Sequence, residues 1–329
     1  MRSNQIDYIR TIAILIMLTA NCTPYLLEPT SPFIFRLICS LAAPIFIFLS
    51  GYTFAIKSEK SNGFHSGLYI LISAVIVDCL AWGMPPFQTF DVLYLIALGQ
   101  ITLELLKKIP LKFTFIAMVL LILTPLFFQI GYRFHMPNPN WCCWDFKVSR
   151  WLFDGWFPVF PWLAFPIAGY LAFRYKFPSK SKLLFGLLLI PFLILVIYLL
   201  YNDKINQPFR DGYIELFYPA SITYLMLGFL ICFLLLHIIP DAETRKNNNL
   251  INFILLVGRH SLFVYLIHAF IISRLFILLE TTKYFSDIIS ILIPFYAVVY
   301  LFAYLLEHAL QKKLLANVPT WIKKPLGLY

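Results

Sequence analysis

The sequence predicts an all-α integral membrane protein of about ten transmembrane helices, and three observations carry that prediction. Of its 329 residues, 60% are hydrophobic and only 13% are charged, far outside the usage of soluble domains. Apolar stretches of about 17–25 residues, enough helix to cross about 30 Å of hydrocarbon, recur from end to end with short polar breaks. The alternating pattern of a membrane β-barrel is missing, so helices must satisfy the backbone within lipid.

The stretches run over 8–27, 33–56, 66–83, 90–106, 113–131, 154–174, 183–201, 216–239, 251–277 and 286–306. The first begins at once, lacks a small-residue cleavage pattern and is followed by many others, so it is expected to stay as a helix. The breaks then fix the orientation. The N-terminus, 57–65, 107–112, 174–182, 240–249 and the tail together hold 17 Lys and Arg, against 8 in the intervening breaks. By the positive-inside rule both termini are cytoplasmic, in a multi-pass protein of a cytoplasmic (inner) membrane with lipid as its surroundings. The net charge of +10 is mostly this topology signal. It offers no soluble basic surface, so no nucleic-acid partner is expected. No Gly- or Ser-rich linker and no inverted repeat divides the chain, and residues 1–329 are expected to form a single domain. The longest break, 132–153, contains "FHMPNPNWCCWDFKVSRW" and suits an aromatic cap at the membrane interface, with Cys142 and Cys143 read as free thiols. Neither a paired CxxC, an HExxH nor a P-loop occurs, so no metal is expected.

Polar groups inside lipid cost a few kcal/mol each and usually face a cavity or a partner. In "IDYIR", Asp7 and Arg10 stand at i,i+3 and are able to pair, which would also suit a simple interfacial anchor. Asn21 is eleven residues on, about 16 Å deeper along a helix. Glu28 stands at the outer mouth, Asp78 past the middle of the third stretch in "AVIVDCLAWG", and Asp91 opens the fourth in "FDVLYLIALGQ". The ninth stretch, "GRHSLFVYLIHAFII", places Ser261, Tyr265 and His268 at i, i+4 and i+7 on one stripe, with Arg259 and His260 pointing elsewhere. A purely structural reading has these groups bonding neighbouring helices. Counted from residue 251 along one continuous helix, His268 lies about 26 Å in and Arg259 and His260 about 12–14 Å in. A break at Gly258 would instead drop the latter two to the cytoplasmic surface.

Five fragments in order carry a family resemblance: "IDYIRTIAILIML", "AAPIFIFLSGYT", "FDVLYLIALGQ", "FPVFPWLAFPIAGY" and "GRHSLFVYLIH". They are similar to segments of bacterial relatives of heparan-α-glucosaminide N-acetyltransferase, within the transmembrane acyltransferase superfamily that includes the type-3 acyltransferases. The resemblance spans about residues 6–277 and implies helices around a central cavity. Acetyl-CoA would enter from the cytoplasm as acyl donor, and a sugar or glycan component on the other side would be acetylated. On that footing Arg10, Arg259 and His260 are expected to hold the CoA phosphates, with Asp7 orienting Arg10. Asn21, Asp91, Trp162, Ser261 and Tyr265 are expected on the acceptor side. Attack by a hydroxyl or amine calls for a general base, and His268 is the first choice. Family members commonly carry histidines near the end of the first helix and in the fourth; here Asn21, Cys22, Glu28 and Tyr94 stand there, and "RG" is Arg10–Thr11. Glu28 or Asp78 is therefore an alternative base, since desolvation raises a carboxylate toward neutral pKa. Two other functions fit the same features. A transporter or flippase of lipid-linked sugar would work without CoA, and a non-catalytic binding relative would have its cavity filled by side chains. A homodimer is compatible with the sequence, and nothing in it requires one.

Overall fold

The computed structural model describes residues 4–26, 32–57, 62–88, 90–131, 148, 150–154, 156–175, 182–204, 216, 220–239, 249–275 and 288–328. Among them every regular element is a helix. In chain order these are α1 (Asn4–Leu26), α2 (Phe33–Cys39), α3 (Ala42–Lys57), α4 (Gly63–Ile76), α5 (Val92–Leu106), α6 (Leu111–Gly131), α7 (Val159–Trp162) and α8 (Ala164–Arg174). There follow α9 (Lys182–Lys204), α10 (Ile222–Ile238), α11 (Asn249–Ile254), α12 (Leu256–Arg259), α13 (Ser261–Leu275), α14 (Ile288–Gln311) and α15 (Thr320–Lys323). Four spans are long and apolar enough to cross a membrane: Asn4–Thr23, Phe33–Lys57, Gly63–Trp82 and Ile288–Gln311. Shorter apolar helices occupy the six remaining stretches. Glu28, Cys142 and Cys143 lie outside the described residues, as does most of the 132–153 break.

Local chemistry sets the ends of several helices. Asn62 caps α4 by accepting the Phe64 N–H at 2.9 Å, and Ser221 caps α10 by accepting the Tyr224 N–H. Asp91 caps α5, its Oδ1 accepting the Val92 N–H at 2.6 Å. Pro125, Pro191 and Pro294 stand inside α6, α9 and α14, as membrane helices tolerate when neighbours take up the freed backbone groups.

Helices approach closely where side chains are absent. A Cβ on Gly51 of α3 would fall 1.8 Å from the Pro166 carbonyl oxygen of α8, and one on Gly169 of α8 would fall 1.9 Å from that of Phe48. The two backbones therefore meet at two glycines, the close packing that replaces hydrophobic drive between helices in lipid. Gly63 and Gly67 do the same for α4 against Gln100 and Ala97 of α5. Around this nucleus Phe48, Trp162, Phe165 and Tyr224 fill the core.

Three predicted stretches are less regular than the sequence suggests. The second breaks at Ser40 and Leu41, and the sixth at Leu163 after a cis Phe160–Pro161 bond. The ninth is three helices rather than one. It turns at Leu255 and again at His260, whose φ of −105° and ψ of 34° leave the helical region. The second break comes two residues after Gly258. Gly258 packs flush on α1, where a Cβ would meet the Asp7 carbonyl oxygen at 2.2 Å, while His260 is drawn aside to Glu307 of α14.

Candidate functional site

At one end of the bundle, Asp7 and Arg10 of α1 pair at 3.4 Å, as their spacing predicts. Asp7 is 1% exposed and Arg10 22%, so the guanidinium reaches the surface while its carboxylate partner stays inside. The bare backbone of Gly258 lets α12 press against Asp7 and Thr11, which brings Arg259 to the same end. Arg259 Nη2 donates to Asn252 Oδ1 at 2.9 Å. His260 is buried, with Nε2 2.6 Å from Glu307 Oε2. Glu307 escaped the sequence reading because it stands one residue past the last apolar stretch, among the polar groups of a helix end. Its carboxylate and that of Asp7 temper the positive charge of this face.

Further along the bundle a second group of polar side chains converges from four elements. Asn21, from the second half of α1, places Nδ2 2.9 Å from His268 Nε2 of α13. The contact pairs a side-chain amide with an imidazole nitrogen, and the histidine tautomer decides which of the two donates. The Tyr265 ring meets the His268 ring edge-on, centroids 5.0 Å apart, and the Tyr265 hydroxyl donates to Asp91 Oδ2 at the head of α5. Asp91 is thus held twice, by Tyr265 and by the first N–H of its own helix. His268 is only 1% exposed.

Asp78 belongs to the same layer. α4 widens into a π-helical turn at Val77–Trp82, a local expansion often found at functional sites, and ends at Gly83 with φ 65°. The turn carries Asp78 inward to 0% exposure. There Oδ2 accepts the Tyr94 hydroxyl at 2.5 Å, and Tyr94 in turn accepts the Phe87 N–H at 3.0 Å. Trp151 Nε1 donates to the Phe87 carbonyl at 2.8 Å, tying the loop before α5 to the layer. Tyr94 is a functional neighbour that sequence reasoning treated only as a departure. A buried carboxylate needs a donor, and a tyrosine one turn into the adjacent helix was the available signal. Changing Tyr94 to Phe removes that donor without changing shape. It is expected to cost about 1–3 kcal/mol, read as a lower unfolding midpoint in detergent, because Asp78 keeps its desolvation penalty.

Two expected acceptor-side residues lie differently. Ser261 is half-buried at the start of α13, about 10 Å of helix before His268. Trp162 is 1% exposed in the core, its ring against Phe157, Phe165 and Tyr224. Among the described residues no group of three or more His, Cys, Asp and Glu is placed to hold a metal.

A helical, membrane-type bundle with buried imidazole, carboxylates and phenols at its centre defines a class of membrane-embedded protein whose polar layer is built from several helices. Within that class, a family model described as heparan-alpha-glucosaminide N-acetyltransferase, catalytic, matches residues 2–203, and the chain belongs to this family. A membrane acetyltransferase type of function goes with that membership. No curated protein matches the chain. The matched residues include Asp7, Arg10, Asn21, Asp78, Asp91 and Trp162, whereas "GRHSLFVYLIH" lies beyond them. The structure joins the two parts: Asn21 and Asp91 from the matched portion hold His268 and Tyr265 from outside it.

Proposed function

We propose that the chain is a ten-span enzyme of a cytoplasmic membrane that takes an acetyl group from acetyl-CoA and transfers it to a sugar hydroxyl or amine at the opposite face. The observation that carries this is the Asn21–His268 pair, set beside Tyr265 and Asp91 and removed from Arg10 and Arg259 along the bundle. From Arg10 to Asn21 is about 16 Å of helix, which separates an anion-attracting end from a base-bearing layer. Partly exposed guanidiniums suit phosphates, and this end supplies two of them, Arg10 and Arg259. Acetyl-CoA supplies an activated thioester carbonyl. His268 Nε2, with Asn21 moved aside by the acceptor, takes the proton from the attacking hydroxyl or amine as its oxygen or nitrogen bonds to the acetyl carbon; the C–S bond then breaks, and the departing CoA thiolate takes that proton back and leaves as the free thiol. Asp91 keeps Tyr265 oriented beside the imidazole, and Asp78 remains an internal carboxylate anchored by Tyr94.

The test uses purified protein in proteoliposomes with labelled acetyl-CoA and a panel of sugar acceptors. Wild type is expected to bind acetyl-CoA and to label an acceptor. Arg10→Ala is expected to weaken donor binding by about tenfold, the equivalent of one charge-assisted contact, and more so at low salt. Absence of acetyl-CoA binding by the wild type would overturn the enzyme reading.

A further inference from the structure

The last part of the chain does not simply leave the bundle. α14 ends at Gln311 beyond Glu307, on the side that carries Arg259 and His260. The chain turns through 312–318, with Lys313 at φ 56°, and then α15 and residues 324–328 run back among the helices. Three independent contacts fix this segment. Ser73 Oγ of α4, itself buried, donates to the Pro325 carbonyl oxygen at 2.6 Å. Lys324 Nζ stands 4.8 Å over the Tyr69 ring, one turn earlier on α4. Gly327, at φ 68°, lies so close to α13 that a Cβ would meet the Phe263 backbone nitrogen at 2.6 Å. Between them Leu326 packs against the main core.

The location of these contacts matters more than their number. Ser73 precedes Asp78 by five residues on its helix, and Phe263 precedes His268 by five on the other, about 7–8 Å of rise in each case. The segment therefore crosses the same two elements that carry Asp78 and His268, and it does so on the side toward Arg259 and His260. Along the bundle the crossing stands at a level between Arg259 and His268, the interval that a donor with its phosphates at that end would have to bridge. The anchorage is uneven. α15 is four residues long and its Trp321 is 66% exposed, whereas Pro325 and Gly327 are buried where the segment lands on α4 and α13. Opening it breaks these few landings and leaves the long helices in place, so it costs less than unfolding the bundle.

We infer that residues Thr320–Leu328 form a strap across the donor's route, which lifts to admit acetyl-CoA and seats again to keep cytoplasmic water from the thioester. The inference rests on the donor side assigned under the proposed function. In its seated position the strap has Ser73 and the Phe263 backbone as its two landing points, and Gly327 is the residue that makes the second landing fit.

The full-length protein in liposomes tests it. With Tyr69→Cys and Lys324→Cys joined by a short bis-methanethiosulfonate, donor binding and acetyl transfer are expected to fall at least tenfold and to return on reduction; wild type treated alike controls for native thiols. Gly327→Val, which cannot seat, is expected to hydrolyse acetyl-CoA without acceptor about tenfold faster. In a Ser73→Cys background the same change is expected to speed labelling by an impermeant maleimide by a similar factor. Normal donor binding and transfer by the tethered protein would overturn the strap alone. No acetyl-CoA binding by the wild type would overturn the enzyme reading and the strap's role with it.

Discussion

His268→Gln is expected to lower the turnover of acetyl transfer by about 10²–10⁴-fold while leaving donor affinity within about twofold. The amide matches the imidazole in reach and can still meet Asn21, which lies 2.9 Å from Nε2. What it cannot do is accept a proton from the acceptor near neutral pH. Asn21→Ala should cost less, about tenfold, since it removes the partner that holds the imidazole in place and leaves the proton-accepting nitrogen itself. Measured side by side with labelled acetyl-CoA, the two variants rank the roles. A His268→Gln protein with wild-type turnover would end its assignment as base, and Asp78 would then be the next residue to examine.

The second large effect is structural and concerns Gly258→Val. Its first side-chain atom would stand 2.2 Å from the Asp7 carbonyl oxygen and 2.5 Å from Thr11 Oγ1. One of these is main chain in the first turn of α1, held in the helix and without freedom to rotate away, so the helices must part. Overpacking of this kind costs about 1–3 kcal/mol, and here the strain falls on backbone. The unfolding midpoint in detergent is expected to drop by several degrees. Because Arg259 follows directly, donor affinity is expected to fall in the same variant, by at least fivefold. Retention of both stability and donor affinity would show that α12 does not need its contact with α1.

Much of this architecture was written in composition and spacing. Every predicted stretch holds an apolar helix because a run of that length in lipid has no other way to satisfy its backbone. The pairing of Asp7 with Arg10 followed from helical periodicity, and the Tyr265–His268 contact from two residues three apart on one helix. The partners of these residues were not legible in the same way. That Asn21 meets His268, 247 residues away, depends on how α1 crosses α13. That Asp91 is both the cap of α5 and the anchor of Tyr265 combines a local signal with a distant one. Glu307 and the 320–328 segment were missed for another reason. Both stand beyond the last apolar stretch, and the features that seat the segment, a glycine at φ 68° and a proline carbonyl, have no meaning until Ser73 and Phe263 are in place.

The π-helical turn at Val77–Trp82 has a consequence for how this layer is kept in phase. Each residue in an α-helix turns the one after it by about 100°, so a helix has only coarse settings for the direction of a side chain. The widened turn supplies an intermediate setting, aiming Asp78 at Tyr94 while the exposed Cys79 and Leu80 point away from the interior. Tightening that turn to α geometry would advance the phase of everything beyond it, including Gly83 and the loop that delivers Phe87 to the Tyr94 hydroxyl. The layer is thus tuned like a vernier, with one wide turn correcting an angle that regular helices alone would miss.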